Sequence, residues 1–385
     1  MTTKPKVLIL YDKNGVCFWR SYLPAKEMQK QGLADVRFVE LRYATKESLA
    51  EDMKWSDIIH MAGLMDTNGL SMLRKYKELG CKVAVDYDDL HFNCSPFNPY
   101  YKNFGLEEVR VKDPKTGEIV TLWEDGKNGL DIKRNRIKFH SYRTVLQEAD
   151  VITTPSYYLK EAMTEIGGSD INVAVLPNAV DFTQWKPLDI RDKFADRFRF
   201  GWAVSASHGE DWLFIKPALT QFLEKHKEAK FVCLGDTHMD ITALALPKEQ
   251  VEWYPFSNLW EGHYQLRMAM LGLDVGIAPL ADLEFNRCKS PLKYAEYTAL
   301  GWPVIAQNMT PYKEHIIHGD TGLLASSIED WLACLESMYQ NESLRRTLRF
   351  NALQSCKEMF DITKVAKEWA DVFNTTISGV SINAK

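Results

Sequence analysis

The stretch Val275–Gln307, VGIAPLADLEFNRCKSPLKYAEYTALGWPVIAQ, decides how the chain is read. Val275 to Pro279 is an apolar run short enough for a buried strand, and Val304 to Ala306 is a second one. Between them a polar loop carries Asn286, Arg287, Lys289 and Ser290, followed by Leu292, Ala295, Ala299 and Leu300 at helical spacing. That spacing predicts a helix packed by one face on a sheet, with Glu296 on its exposed side. A loop that leaves the carboxyl end of a strand and enters a helix is where an open α/β sheet receives a phosphate ligand. Lys289 and Ser290 stand at that point, and Lys293 follows one helical turn later.

Those residues also carry a family likeness. The run K-S-P-L-K-Y-x-E-Y-x-A-L-G-x-P-V-I-A, followed by P-Y-x-E-x-I-x-H-G-x-T-G-L-L, resembles the nucleotide-sugar half of retaining GT-B glycosyltransferases, the family-four-like glycosyl transferases group 1. The resemblance implies two Rossmann-like domains facing each other across a cleft, with a C-terminal helix crossing back to the first domain. It also implies that Glu296 holds the donor ribose and that Lys289 with Ser290 faces the diphosphate. The family's earlier glutamate falls on Cys288, which leaves Lys289 or Asn286 as the nearest replacements.

Composition is consistent with a two-domain globular protein. The chain has 385 residues, more than the roughly 250 to 300 at which a single core stops growing. A net charge of −5 excludes the strongly basic footprint of a dedicated nucleic-acid coat while leaving room for a local basic patch. Seven scattered cysteines without a C-x-x-C pair suggest reduced thiols in a cytoplasm; the layout D-Y-D-D-L, then S-P-F-N-P, then D-I-K-R-N-R also resembles glycosyltransferase-like proteins encoded by bacteriophages, which would make that cytoplasm the host's. The amino-terminal apolar run before Tyr11 is too short for a signal peptide, and no integral membrane segment is expected.

Strand and helix signals alternate from Lys6 to Asp89, which implies βαβ units and a parallel sheet. About residues 91–130 the pattern breaks into an irregular insert with a hairpin expected around Asp113 to Gly117. The alternation then resumes, and the expected division is 1–187 with a helix about 361–377, and 188–360.

Several side chains are candidates for chemistry. The segment V-A-V-D-Y-D-D-L-H-F resembles a strand end of the family's sugar site, which makes Asp88 or Asp86 a candidate to orient the acceptor or the reacting sugar. Asp86, Asp88 and Asp89 also resemble a metal-binding D-x-D, although the family resemblance implies no essential metal and no cofactor beyond a nucleotide-sugar co-substrate. In the second half, Ser205-Ala206-Ser207-His208 stands where the family often carries an arginine and a lysine. His208 and Ser205 could face phosphate there, or Ser207 could cap a helix beside a surface histidine. Gly15 would lie under the donor phosphates, while Arg20 and His60 would front the acceptor or serve the core.

The insert mixes aromatics with cations, including Phe92, Tyr101, Trp123, Arg110 and Lys115. The helix that follows carries Lys133, Arg134, Arg136, Lys138 and Arg143. Tyr101 and Arg134 are therefore acceptor candidates, by stacking on sugars or bases and by phosphate contact. The alternative is a solvated basic face over a small satellite core. The expected activity is transfer of a sugar to a hydroxylated acceptor with retention of configuration. Modified phage DNA with a hydroxymethylated base, an inactive sugar-nucleotide-binding scaffold and an epimerase of similar fold are the alternatives.

Overall fold

The computed structural model describes residues 4–113, 116–190, 194, 197–235 and 246–382, with the side chains of 46 and 206 left aside. Lys115 and part of the expected hairpin turn therefore lie outside the described residues. The chain divides into two compact units, Met1–Asn178 with Cys288–Ser290 and Ile362–Lys385, and Ala179–Arg287 with Pro291–Asp361. The first thus ends at Asn178 rather than near residue 187, and it takes in the short loop Cys288–Ser290 from the second half of the chain.

In the first unit β1 (Lys6–Tyr11) leads through α1 (Gly15–Cys17) and a π-helical turn, Phe18–Tyr22, into α2 (Leu23–Lys30). Then come β2 (Asp35–Glu40), α3 (Lys46–Trp55), β3 (Ile58–Ala62), α4 (Thr67–Glu78) and β4 (Lys82–Asp86). The insert holds α5 (Tyr101–Phe104) and the antiparallel pair β5 (Val109–Lys112) and β6 (Ile119–Trp123). α6 (Ile132–Glu148), β7 (Val151–Thr154), α7 (Tyr157–Gly167) and β8 (Val173–Val175) close the unit. The sheet is parallel in the order β2-β1-β3-β4-β7-β8. The order reverses between β1 and β3, and such a switch point opens a crevice at the strands' carboxyl ends.

The second unit runs β9 (Arg199–Val204), α8 (Gly209–Lys225), β10 (Lys230–Gly235), β11 (Val251–Pro255), α9 (His263–Ala269) and β12 (Val275–Ala278). It continues with α10 (Glu284–Arg287), α11 (Leu292–Ala299), β13 (Val304–Gln307), β14 (Leu323–Ala325), α12 (Ile328–Gln340) and α13 (Glu342–Phe360). Its parallel order β11-β10-β9-β12-β13-β14 is that of a dinucleotide-binding sheet, with the switch point between β9 and β12. Gly276 on β12 is required there, because a Cβ would stand 2.4 Å from the Tyr297 ring. Its absence lets α11 lie close on the strand.

The last helix, α14 (Ile362–Ile377), belongs to the first unit. Ile362, Val365, Ala366, Trp369, Ala370 and Phe373 are buried at intervals of three and four, giving one continuous apolar stripe. Burying a side chain such as Phe373 contributes about 1.5–3 kcal/mol. Among the described residues no helix is long and apolar enough to cross a membrane.

Candidate functional site

In the second unit the switch point gathers two polar constellations. The first is on α11. Glu296 is not on an exposed face as its spacing suggested; it is only 1% accessible. Residues Tyr294 through Ala299 are all buried, because α13 as well as β12 and β13 packs against α11 and Tyr264 of α9 reaches Glu296. The Glu296 carboxylate accepts from Lys293 Nζ at 3.1 Å and from the Tyr264 hydroxyl at 3.4 Å. Burial pushes its pKa up, against the lowering effect of the Lys293 ammonium and the Tyr264 hydroxyl. A buried carboxylate with one cation at its side is suited to accept hydrogen bonds from a sugar diol.

The second constellation begins at the loop after β9. Imidazole Nδ1 of His208 lies 2.5 Å from a carboxylate oxygen of Asp211. The other Asp211 oxygen accepts from the Ala281 amide at 2.6 Å and from Asn286 Nδ2 at 2.8 Å. Asp211 is 1% accessible. His208 packs edge-on against Trp202, and its side chain is largely covered. The helix starts at Gly209 without a side-chain cap, so Ser207 does not cap it; the Ser205 and Ser207 hydroxyls meet at 2.9 Å. Asn286, expected at the donor, instead spends its amide on Asp211 and the Ala281 carbonyl. Arg287 pairs with Asp282, with Nη2 at 2.6 Å.

In the first unit, Arg20 and Asp86 are buried partners rather than open site residues. The guanidinium reaches Asp86 at 2.8 Å through Nη2 and at 3.2 Å through Nε, and Thr153 donates to the same carboxylate at 2.6 Å. Arg20 Nη1 also donates to the Leu176 carbonyl and, at 3.0 Å, to Asn178, while Trp369 lies beneath it. Asn178 in turn donates to the Ser290 hydroxyl at 2.9 Å. Lys289 Nζ stands 3.7 Å from Asp89. Cys288 is fully buried and its carbonyl accepts from Ser156 at 2.8 Å.

His60 is a core histidine. It is fully buried against Trp369 and Phe373, and burial lowers its pKa to about 4. Tyr101 also packs inward, with its hydroxyl on the Glu107 carbonyl at 3.1 Å and its ring against Trp123. Arg134 is exposed on α6. Gly15 opens α1 with space around it, so no close backbone approach requires a glycine there.

Asp88 behaves differently from Asp86. It is half-buried, and desolvation, followed by the Asp89 and Asp86 carboxylates, raises its pKa to about 8. Ligand atoms of Asp88, Asp89 and His91 lie within 4.8 Å of one another, a spacing that could hold a cation. His91 Nδ1 is 3.0 Å from the Asp89 carbonyl, which directs Nε2 away from it.

Residues 205–341 match the family model of glycosyl transferases group 1. That segment falls in the second unit apart from residues 288–290. The matched segment starts at Ser205, in the loop that holds His208, and includes Asp211, Lys293 and Glu296. Among curated proteins no match is found.

Solved structures extend the likeness over nearly the whole chain. Sucrose-phosphate synthase from Thermosynechococcus elongatus is 12% identical with a TM-score of 0.68, over 97% of this chain and 100% of that one. Anabaena HepE in complex with UDP and glucose is 14% identical with a TM-score of 0.63, over 96% and 100%. A glycosyltransferase from Rickettsia africae is 14% identical with a TM-score of 0.64, over 97% and 99%. At these identities the likeness shows the fold, which is the two-unit GT-B arrangement of Rossmann-like sheets.

The sequence contained a clue to Asp211 that its residue types alone did not raise. A carboxylate three residues after His208 at a helix start lies within reach of it. Tyr264, Thr153 and Asn178 reach their partners across 32, 67 and 112 positions, distances over which one sequence carries no pairing signal.

Proposed function

We propose that this protein transfers a sugar from a nucleotide-sugar donor to an acceptor hydroxyl with retention of configuration. The second unit takes the donor and the first takes the acceptor. The observation that carries the reading is the buried Glu296, held by Lys293 and Tyr264 inside the segment that matches glycosyl transferases group 1. In this reading Glu296 accepts from the ribose hydroxyls. Lys293 and His208 supply polar and cationic contacts to the diphosphate, whose growing charge must be stabilised as the glycosidic bond breaks. Asp88, kept protonated at neutral pH by a pKa of about 8, can donate a hydrogen bond that orients the acceptor or the reacting sugar. UDP is the first nucleotide to try, since HepE is described in complex with UDP and with UDP-glucose.

The test is thermal stabilisation by UDP-, GDP- and ADP-sugars with and without chelator, followed by donor hydrolysis. A selective shift with turnover supports transfer. A shift without hydrolysis or transfer to any acceptor points to a binding scaffold. No shift with any donor overturns the donor site.

A further inference from the structure

At the amino ends of β12 and β13 the second unit has a cavity of about 470 Å3, within the range of small-molecule pockets. Asp274 and Pro303, which directly precede those strands, line it together with the turns that close α9 and α11. It lies at the end of the parallel sheet opposite the loop that carries His208. Glu342, Arg345, Arg346 and Arg349 supply its charged wall, and their spacing puts them on one face of α13. Leu273, Leu300 and Trp302, all buried, supply an apolar wall.

Most of the charge around this cavity is already spent. Arg346 Nη2 is 2.6 Å from Glu342. The Asp274 carboxylate accepts from the Arg199 amide at 2.8 Å. Arg345 donates to the Met338 and Tyr339 carbonyls and lies over the Phe198 ring, so it closes the end of α12. Arg349 differs from these. It is exposed, and among the described residues it makes no hydrogen bond or ion pair. Its guanidinium rests against Gly301, where a Cβ would stand 2.9 Å from both Nε and Nη2. The carbonyls at the end of α11 do not need it, because the Gly301 amide reaches Thr298 and the Trp302 amide reaches Tyr297, both at 2.9 Å.

A guanidinium seated on backbone offers a planar fork of N–H donors that matches an oxyanion. Arg346, bonded to Glu342 through Nη2, keeps further N–H groups on the same helical face. A phosphate has three oxygens to divide between two such forks, whereas a carboxylate is filled by one. The apolar wall suits a ring or hydrocarbon body beside that head. We infer that this cavity binds a small phosphomonoester, with its phosphate on Arg349 and Arg346 and its organic part against Leu273, Leu300 and Trp302. None of these residues is among those placed at the donor, so phosphomonoester binding here stands apart from the transfer reading.

The test is isothermal titration of the full chain with phenyl phosphate, inorganic phosphate and benzyl alcohol. Fluorine NMR of protein labelled with 5-fluorotryptophan runs beside it, with Trp302→Phe identifying the Trp302 signal. Phenyl phosphate should bind about tenfold more tightly than inorganic phosphate, through burial of the ring. Benzyl alcohol should bind far more weakly than either, and the Trp302 signal should move as phenyl phosphate is added. Arg349→Ala, at an exposed position without partners, should keep the thermal midpoint and weaken phenyl phosphate binding by about tenfold or more.

Absence of phenyl phosphate binding overturns the inference. So does an unmoved Trp302 signal at saturation, or undiminished affinity in a folded Arg349→Ala variant, since either places the anion elsewhere, the donor site included. Equal affinity for inorganic phosphate, or equal affinity for benzyl alcohol, overturns the ligand class. UDP-, GDP- and ADP-sugar binding decides the donor reading separately, and Arg349→Ala should leave it unchanged.

Discussion

His208 Nδ1 and Asp211 Oδ2 lie 2.5 Å apart at the start of α8, and Asp211 is locked from behind by the Ala281 amide and Asn286. The contact fixes how the imidazole is turned, and it joins three segments of the second unit in one hydrogen-bonded chain. Removing its centre should therefore be felt both in stability and in donor binding.

Asp211→Ala leaves the Asn286 amide and the Ala281 N–H without their acceptor, at about 1–3 kcal/mol for each buried group left unsatisfied. Urea denaturation should show that loss. His208→Gln should cost less stability yet weaken donor binding. Unchanged donor affinity in a folded His208→Gln variant would remove the histidine from the site.

The Arg20–Asp86 pair makes a different prediction. Arg20 is 1% accessible and Asp86 is fully buried, so deleting either partner strands a charge and should cost about 3–5 kcal/mol. Arg20→Met combined with Asp86→Leu should cost clearly less than the sum of the two single changes. Strict additivity in the denaturation cycle would mean that the two side chains do not act as a unit.

Asp88 should make stability pH-dependent. Its folded pKa of about 8 lies above the ordinary 3.8, so between those values the folded protein keeps a proton that the unfolded chain has lost. The site's contribution is greatest below the unfolded value and declines as pH rises through the folded one. Asp88→Asn has no proton to lose. Its thermal midpoint relative to the unaltered protein should rise steadily from about pH 4 to about pH 8, and a pH-independent difference would argue against the shift.

Within the donor reading, Glu296→Gln should weaken sugar-nucleotide binding by about 1–3 kcal/mol through lost charge-assisted hydrogen bonds. Lys293→Ala should lower turnover more than affinity if its charge acts on the departing phosphate. Isothermal titration alongside steady-state rates separates the two, and equal losses in both quantities for both variants would defeat this division of roles.

The alternation of Val/Ile/Leu runs with helical spacing was enough to read both parallel sheets, since buried strands and amphipathic helices are periodic over a few residues. The same local pattern misplaced Glu296. Leu292, Ala295, Ala299 and Leu300 mark one face of α11, but they carry no record of Tyr264 covering another. His60 could be read equally as a core or a cleft residue until Trp369, from the far end of the chain, appeared edge-on against it. Asp86 and Asp88 illustrate the limit most clearly. They are two positions apart on one strand end, yet Asp86 is neutralised by Arg20 and Asp88 has its charge suppressed.

By itself, the sequence determined the two α/β units, the switch-point loops and the residue types available there, because backbone propensity and apolar periodicity are short-range. Only the tertiary structure decided which of those polar side chains are spent on one another and which remain for a ligand. Desolvation and pairing depend on atoms brought together from distant positions, as with Arg20 and Asp86 across 66 residues and Asn178 and Ser290 across 112. A buried charge takes whatever partner the fold delivers, and its role follows from that partner.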